Sequence, residues 1–234
     1  MTKVSKKFLA GVAVAACAGA AAPAFAQSFT YAAGSGSSTL AFPPSNVSSL
    51  GSAGVTFSAV APATFSSSTA TLTTPITSVT LDASNAITDY LNSGGLTLTA
   101  SPFPLAGITG GTVTLSNMDF NVPGGTLYAD VLSGSSTLAS HLALFTGSVS
   151  GTTSLSSAGT FSTALSNLTL SSAGASLLGD ALGIPSSLQS QLTTISYGTF
   201  TSTATFKAAV PEPSTYAILG LGLLGVAVRA RRRA

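Results

Sequence analysis

Residues 197–206 alternate with a period of two: Phe200, Ser202, Ala204 and Phe206 share one parity, and Thr201, Thr203 and Thr205 share the other. Successive side chains of a strand point to opposite faces, so this run predicts a pleat with an apolar face inward and hydroxyls outward. Runs of the same kind recur at 70–73, 78–81, 96–100, 112–117, 126–132, 141–149 and 164–170, separated by Gly, Pro, Asn or Ser. Many short strands with such punctuation predict a mainly β domain, a sandwich, a barrel or an irregular β-rich fold. No fixed repeat period emerges. Two segments depart toward helix. Ser84 offers an N-cap for a short helix in which Ile87 and Leu91 lie one turn apart, ending near 92–95. In 172–182, Leu177 pairs with Ala181 and Leu178 with Leu182, with Gly183 and then Pro185 as stop signals. A further helical turn through Leu188 and Leu192 precedes the last strand.

The two ends of the chain are of a different composition. Lys3, Lys6 and Lys7 precede an apolar stretch at 8–22, and Pro23 leads into Ala24, Phe25 and Ala26 before Gln27. That is the basic, apolar and small-residue order of a secretory signal peptide, so residues 1–26 are expected to be removed by signal peptidase between Ala26 and Gln27. A rival lies inside it, since 14–17 resembles a lipobox with Cys17 as the acylated residue. The small-residue end at 24–26 accounts for more of the segment.

At the other end, Val210, Pro211, Glu212, Pro213 and Ser214 precede an apolar, Gly-rich run and then Arg229, Arg231, Arg232 and Arg233. A Pro-Glu-Pro motif, a short hydrophobic helix and a terminal arginine cluster in this order resemble the PEP-CTERM sorting domain of exported bacterial proteins. The resemblance implies transit through the inner membrane, recognition of 210–214 by an exosortase-type processing enzyme, and a final place at the cell surface or in an exopolysaccharide matrix. The domains expected are thus 1–26, a β-rich extracytoplasmic body at 27–209, and a sorting tag at 210–234 with a transmembrane helix at 215–228 and a basic tail at 229–234. The apolar run 216–228 spans roughly 20 Å as a helix, short of the ~30 Å hydrocarbon core, which makes it a marginal anchor. Its arginines are expected to stay cytoplasmic, like the lysines of the opposite end, so both tags place the body outside the inner membrane.

Without the tags the chemistry changes sign. Eight basic and six acidic residues give the whole chain a formal charge of +2, but between 27 and 209 Lys207 faces Asp82, Asp89, Asp119, Asp130 and Asp180. No basic face exists to neutralise phosphates, which excludes nucleic acid as a partner. The only cysteine, Cys17, lies in the leader, so the body holds itself by core packing and backbone ladders rather than by disulfides.

Catalytic patterns are sparse. His141 is the only histidine and shares a parity with Ala143 and Phe145, which reads as a strand histidine; a hydrolase using it remains an alternative, although no serine lies in a GxSxG motif. Asp82 and Asp89 are the nearest acidic pair, and belong to the turn and short helix expected there. Asp119, Asn121 and Gly124 begin like a calcium loop, but Pro123 takes a ligand position and no glutamate follows, so a solvated turn is expected. Gly220, Gly222 and Gly225 match GxGxxG without the following acidic residue that dinucleotide binding needs. No metal, cofactor or catalytic residue is expected. The segments 125–131 and 170–178 resemble haem-carrier HtaA-type domains; in the strand ahead of the first, where that family has a histidine, this chain has Thr114 and neighbours that are not histidine. The leading expectation is a non-catalytic surface or matrix protein. Its alternative is a module for carbohydrate or a small ligand, with Tyr31, Tyr90, Tyr128 and Tyr197 as the aromatic residues available for a platform.

Overall fold

Twelve strands and three short helices form among the residues that the computed structural model describes, 28–52 and 54–209. The strands are β1 (Phe29–Tyr31), β2 (Ser37–Ala41), β3 (Val55–Val60), β4 (Thr64–Ser66), β5 (Thr71–Leu81), β6 (Ile87–Asn92), β7 (Gly95–Ala100), β8 (Gly111–Asn121), β9 (Thr126–Ser133), β10 (Ser136–Gly151), β11 (Gly159–Leu170) and β12 (Thr199–Ala208). The helices are α1 (Pro44–Ser52), α2 (Ser172–Ala181) and α3 (Ser186–Leu192). Ala24, Ala26, Gln27, Val210, Pro211, Glu212, Pro213, Ser214, Arg229, Arg231, Arg232 and Arg233 lie outside the described residues, as do the apolar segments 8–22 and 215–228. Among the described residues no helix is long and apolar enough to cross a membrane.

The alternation read from the sequence closes into a barrel. Following antiparallel neighbours gives β8, β6, β5, β2, β12, β11, β10 and β9, and β9 pairs again with β8. Eight strands enclose a space that side chains can fill. On β12, Phe200, Ala204 and Phe206 are buried while Thr201, Thr203 and Thr205 face outward. Ser202, on the inward parity, is satisfied by Ser38 Oγ at 2.7 Å. Tyr90 and Phe120 stack inside at 5.9 Å, and Phe200 meets Phe120 edge-on at 5.8 Å. The Tyr90 hydroxyl finds Thr163 Oγ1 at 2.9 Å, so the largest polar group of the core is paired. Ala209 N donates to Ser28 O, which ties the two ends of the described body together at one end of the barrel.

The wall forks at one place. β6 and β7 run end to end along the same edge of β8, with Asp89 opposite Asn121 and Leu91 opposite Asp119, then Gly95 opposite Ser116 and Ala100 opposite Gly111. The other edge of β6 pairs with β5, but the other edge of β7 pairs with β3. Asn92 clamps the junction: its Nδ2 donates to Tyr90 O and Met118 O, both at 3.1 Å, and its Oδ1 accepts from Thr74 Oγ1 at 3.3 Å. Beyond the fork the wall splays into a mouth.

The helix expected from Ser84 is a strand. Asp82 Oδ1 accepts from Ser84 N, Ser84 Oγ and Ala86 N at 2.7 to 2.8 Å, which builds a turn with Asn85 at φ 61°. These bonds to the ionised carboxylate hold Asp82 below the usual carboxylate range, the Ser84 hydroxyl foremost. Ile87 is buried and Leu91 is 40% exposed, so the two residues that a helix would align sit on opposite faces of β6. The helix predicted over 172–182 forms as α2, and Gly183 terminates it at φ 69°.

Candidate functional site

Three helices cover the mouth, each placed by local chemistry. Ser171 caps α2, its Oγ accepting from Gly174 N at 2.9 Å. The same hydroxyl donates to Ala143 O at 2.6 Å, and Ser171 N donates to Leu144 O at 2.9 Å, which bolts the helix onto β10. Gln189 of α3 donates to Asp180 Oδ1 at 2.7 Å and to Ile184 O at 3.0 Å, which fixes α3 against α2. Pro44 begins α1, where a fixed φ favours the first turn. Asn46 Nδ2 reaches Ser196 O at 2.7 Å and joins α1 to the segment before β12.

Between these helices and the sheet lies an apolar cleft. One part, with a volume of about 190 Å³, is bounded by Phe42, Phe57, Leu98, Phe145, Leu178 and Ile195 among others, with Ser49 and Asn46 on the α1 side. A second part, of about 140 Å³, shares Leu50, Leu98, Leu178, Leu192 and Tyr197 with the first and extends to Ile108 and Ile184. Among the described residues no charged side chain lines either part. Two of the polar groups at the rim are engaged: Tyr197 Oη donates to Leu192 O at 3.1 Å and Asn46 Nδ2 to Ser196 O. Apolar cavities of about 150 Å³ stay dry and take a benzene-sized guest, so this cleft accommodates a small hydrocarbon body. Burial pushes the Tyr197 phenol up to about 12. Burial also raises Tyr90 and Tyr31.

A raised phenol is neutral in the fold where the unfolded chain would ionise. Its stabilising contribution is therefore complete below pH ~10 and lost as pH rises through the folded value, a window of ~10 to 12 for Tyr197. Phenolate absorbance at 295 nm should rise in step with unfolding in that window, and Tyr197→Phe should delay it.

A second cluster sits on the outer wall. His141 lies in β10 at φ 48°, where the ladder to β9 shifts register between Ala139 and Leu142. The bulge corrects the parity read from the sequence: Phe145 is buried, whereas the His141 side chain is 60% exposed. Its Nε2 meets Asp119 Oδ2 at 2.9 Å, its ring stacks on Tyr128 at 4.3 Å and 5°, and its backbone N donates to Asp130 Oδ1 at 2.8 Å. Asn117, itself at φ 50°, donates to Asp130 Oδ2 at 2.8 Å. Asp119 is no part of a solvated turn; its side chain is 12% exposed, and Oδ1 has no hydrogen-bond partner among the described residues. The turn begins after it, where Asn121 Oδ1 accepts from Gly124 N. The pair staples β8 to β10 across β9. No hydroxyl is hydrogen-bonded to the imidazole among the described residues, so a serine nucleophile is not poised there.

The sequence-predicted residues are thus scattered. Asp89 accepts from Asn121 Nδ2 at 2.9 Å, far from any triad geometry. Of the four tyrosines, Tyr90 is interior, Tyr31 Oη is held by Ile76 O, Tyr128 lies against His141 and Tyr197 borders the cleft; they form no common platform. A haem iron needs an axial imidazole, thiolate, thioether or phenolate. The cleft offers only Tyr197, whose phenol is raised and committed to Leu192 O, and the one histidine is fastened to Asp119 outside it. The residues of the cleft do not fit haem.

A PEP-CTERM protein-sorting motif matches residues 209–233. No curated protein matches the chain by sequence. Among solved structures, the crystal structure of the C-terminal domain of HtaA from Corynebacterium glutamicum aligns with a TM-score of 0.53 and 19% identity, over 77% of this chain and 100% of that one. At this identity the likeness is one of fold.

Proposed function

We propose, from the premise of a sorting motif at 209–233, that the chain is an exported, non-catalytic surface or matrix protein whose barrel holds a small uncharged apolar molecule. Export is what the motif entails. The exosortase-type partner acts on 210–214, signal peptidase acts at Gln27, the inner membrane holds the chain in transit, and an exopolysaccharide layer is the setting that the family resemblance implies. The observation carrying the ligand reading is the cleft itself, lined by no charge among the described residues and with Asn46 and Tyr197 at its rim donating to backbone carbonyls. A site of that make-up selects by shape and hydrophobicity, and gives neither an acid–base pair nor a metal ligand to work with.

Ser49 is an exposed residue of α1 that borders the cleft, so a larger side chain there enters it without displacing core. The uncharged fluorophore N-phenyl-1-naphthylamine should bind residues 27–209 with enhanced emission, and Ser49→Trp should weaken that binding by about tenfold, the ~1.4 kcal/mol of a lost apolar contact surface. Unchanged melting in the variant separates filling from unfolding. Equal probe binding by both proteins would sink the cleft reading.

A further inference from the structure

Three facts at the mouth remain unused. The loop 101–110 between β7 and β8 carries no charged residue and ends in a single 3-10 turn, Pro104–Ala106, on which Leu105 is 93% exposed and Phe103 43% exposed. The loop is held in shape: Phe103 N and Ile108 O pair at 2.9 Å, Ile108 N and Phe103 O at 3.2 Å, and Thr109 N donates to Gly183 O at 3.0 Å. Its base residue Ile108 lines one part of the cleft, and Ile195, 38% exposed, lines the other. A rigid tip that thrusts leucine and phenylalanine into solvent beside an apolar cavity is a surface built to be covered.

The position of the chain ends says by what. Ser28 and Ala209 leave together at the base, beside the last residues of β12, while the first residues of β12 follow Tyr197 at the cleft. The ten residues of β12 rise ~33 Å along the strand, which a barrel tilt of ~35–45° shortens to roughly 25 Å between the two ends of the barrel. Residues 210–214 reach ~17 Å when fully extended. A tag in the inner membrane therefore holds the mouth facing away from that membrane. Among the described residues the mouth carries one charge, Asp180, already bonded to Gln189, and no cation, so neither an acidic polymer nor an anionic headgroup is selected.

We propose that the mouth seats on a lipid bilayer other than the one that holds the tag, with Leu105 and Phe103 entering the headgroup boundary so that an acyl chain passes into the cleft. The proposal rests on the reading of the cleft as an apolar ligand site. The interfacial contact is apolar rather than electrostatic, which makes it indifferent to salt and to anionic lipid.

The test uses residues 27–209, which contain the whole barrel and core, and vesicles of phosphatidylcholine. Wild-type protein should co-sediment, with a partition coefficient at least about tenfold above that of the Leu105→Asp, Phe103→Ser double variant and unchanged by salt. The double variant should keep its affinity for N-phenyl-1-naphthylamine, since neither residue lines the cleft. Ser49→Trp should still sediment but fail to withdraw a pyrene-acyl phosphatidylcholine from the vesicles. Equal sedimentation of wild type and double variant overturns the lipid contact and leaves the cleft reading standing on its probe. Absence of probe binding in wild type overturns both. A concentration-dependent dimer that the double variant abolishes, without vesicle binding, assigns the lip to a second copy and overturns the lipid assignment.

Discussion

Replacing Gly95 by alanine is expected to cost about 4 kcal/mol or more, the upper end for a single substitution and a large share of the ~5–15 kcal/mol that holds a domain together. A Cβ at this position would stand 1.8 Å from Leu115 O and 2.9 Å from Leu115 C, backbone atoms of the neighbouring strand that cannot rotate away. The approach is close because Gly95 is the first residue of β7, where the wall passes from its β5 side to its β3 side while β8 continues through the bulge at Asn117. Separating β7 from β8 there breaks the ladder that carries Leu96 and Leu98, two walls of the cleft. Thermal unfolding of Gly95→Ala should therefore show both a lowered midpoint and loss of N-phenyl-1-naphthylamine binding below that midpoint. Gly34→Ala is the contrast: it also sits in a turn, at φ 77°, but its Cβ meets nothing within 4 Å, so only the ~1 kcal/mol of a left-handed alanine is expected. Similar losses in the two variants would mean that the fork is not the strained point that the backbone distances describe.

The strands were legible where their neighbours are regular. In β12 the inward parity of Phe200, Ser202, Ala204 and Phe206 follows from alternation alone, because its ladders to β2 and β11 run without a register shift. In β10 the same rule fails, since three shifts against β9 and one against β11 turn successive side chains off their parity, and His141 comes to lie outside while Phe145 lies inside. A bulge is a property of two strands together, and one strand read alone does not announce it. The segment 84–92 failed for another reason. A spacing of four suits both a helical face and a strand when the intervening residues are mixed, and the Asp82 turn decides between them by tying up the amides that a first helical turn would use. α1 escaped notice because its sequence, PSNVSSLGS, contains no apolar stripe, and the structure buries none of its residues fully.

The cleft was illegible for a deeper reason. Its walls come from β2, β3, β7, β8, β10, β11 and all three helices, so no window of sequence contains it, and apart from Asn46, Ser49 and Tyr197 its residues are apolar. His141 and the aspartates drew attention because their side chains are reactive, but the fold uses them to fasten strands. The PEP-CTERM motif was legible for the opposite reason: it is linear, read by order and spacing, and needs no fold to be recognised.

Glu212→Ala is expected to abolish release of the body, with extracellular protein falling by tenfold or more and a species retaining Arg233 accumulating in the inner membrane. The argument is local. The last described backbone bond, Ala209 N to Ser28 O, ends the β structure immediately before Val210. By sequence alone, Pro211 and Pro213 lack amide donors and bias Val210 and Glu212 toward extended backbone, which disfavours both a ladder and a helix there. Glu212 is the only charge in the chain between Lys207 and Arg229, which makes its carboxylate the feature that a processing enzyme is expected to read. Alanine keeps the extended backbone and the apolar run that follows, and removes only the carboxylate, so insertion should persist while cleavage fails. Glu212→Asp should restore part of the release if charge is what is read. Intact mass of protein recovered separately from inner membrane, outer surface and medium decides the matter, because cleaved and uncleaved forms differ by the whole basic tail. Processing of Glu212→Ala at the wild-type rate would leave 210–214 as a plain linker, and the proposed recognition of Glu212 would have to be abandoned.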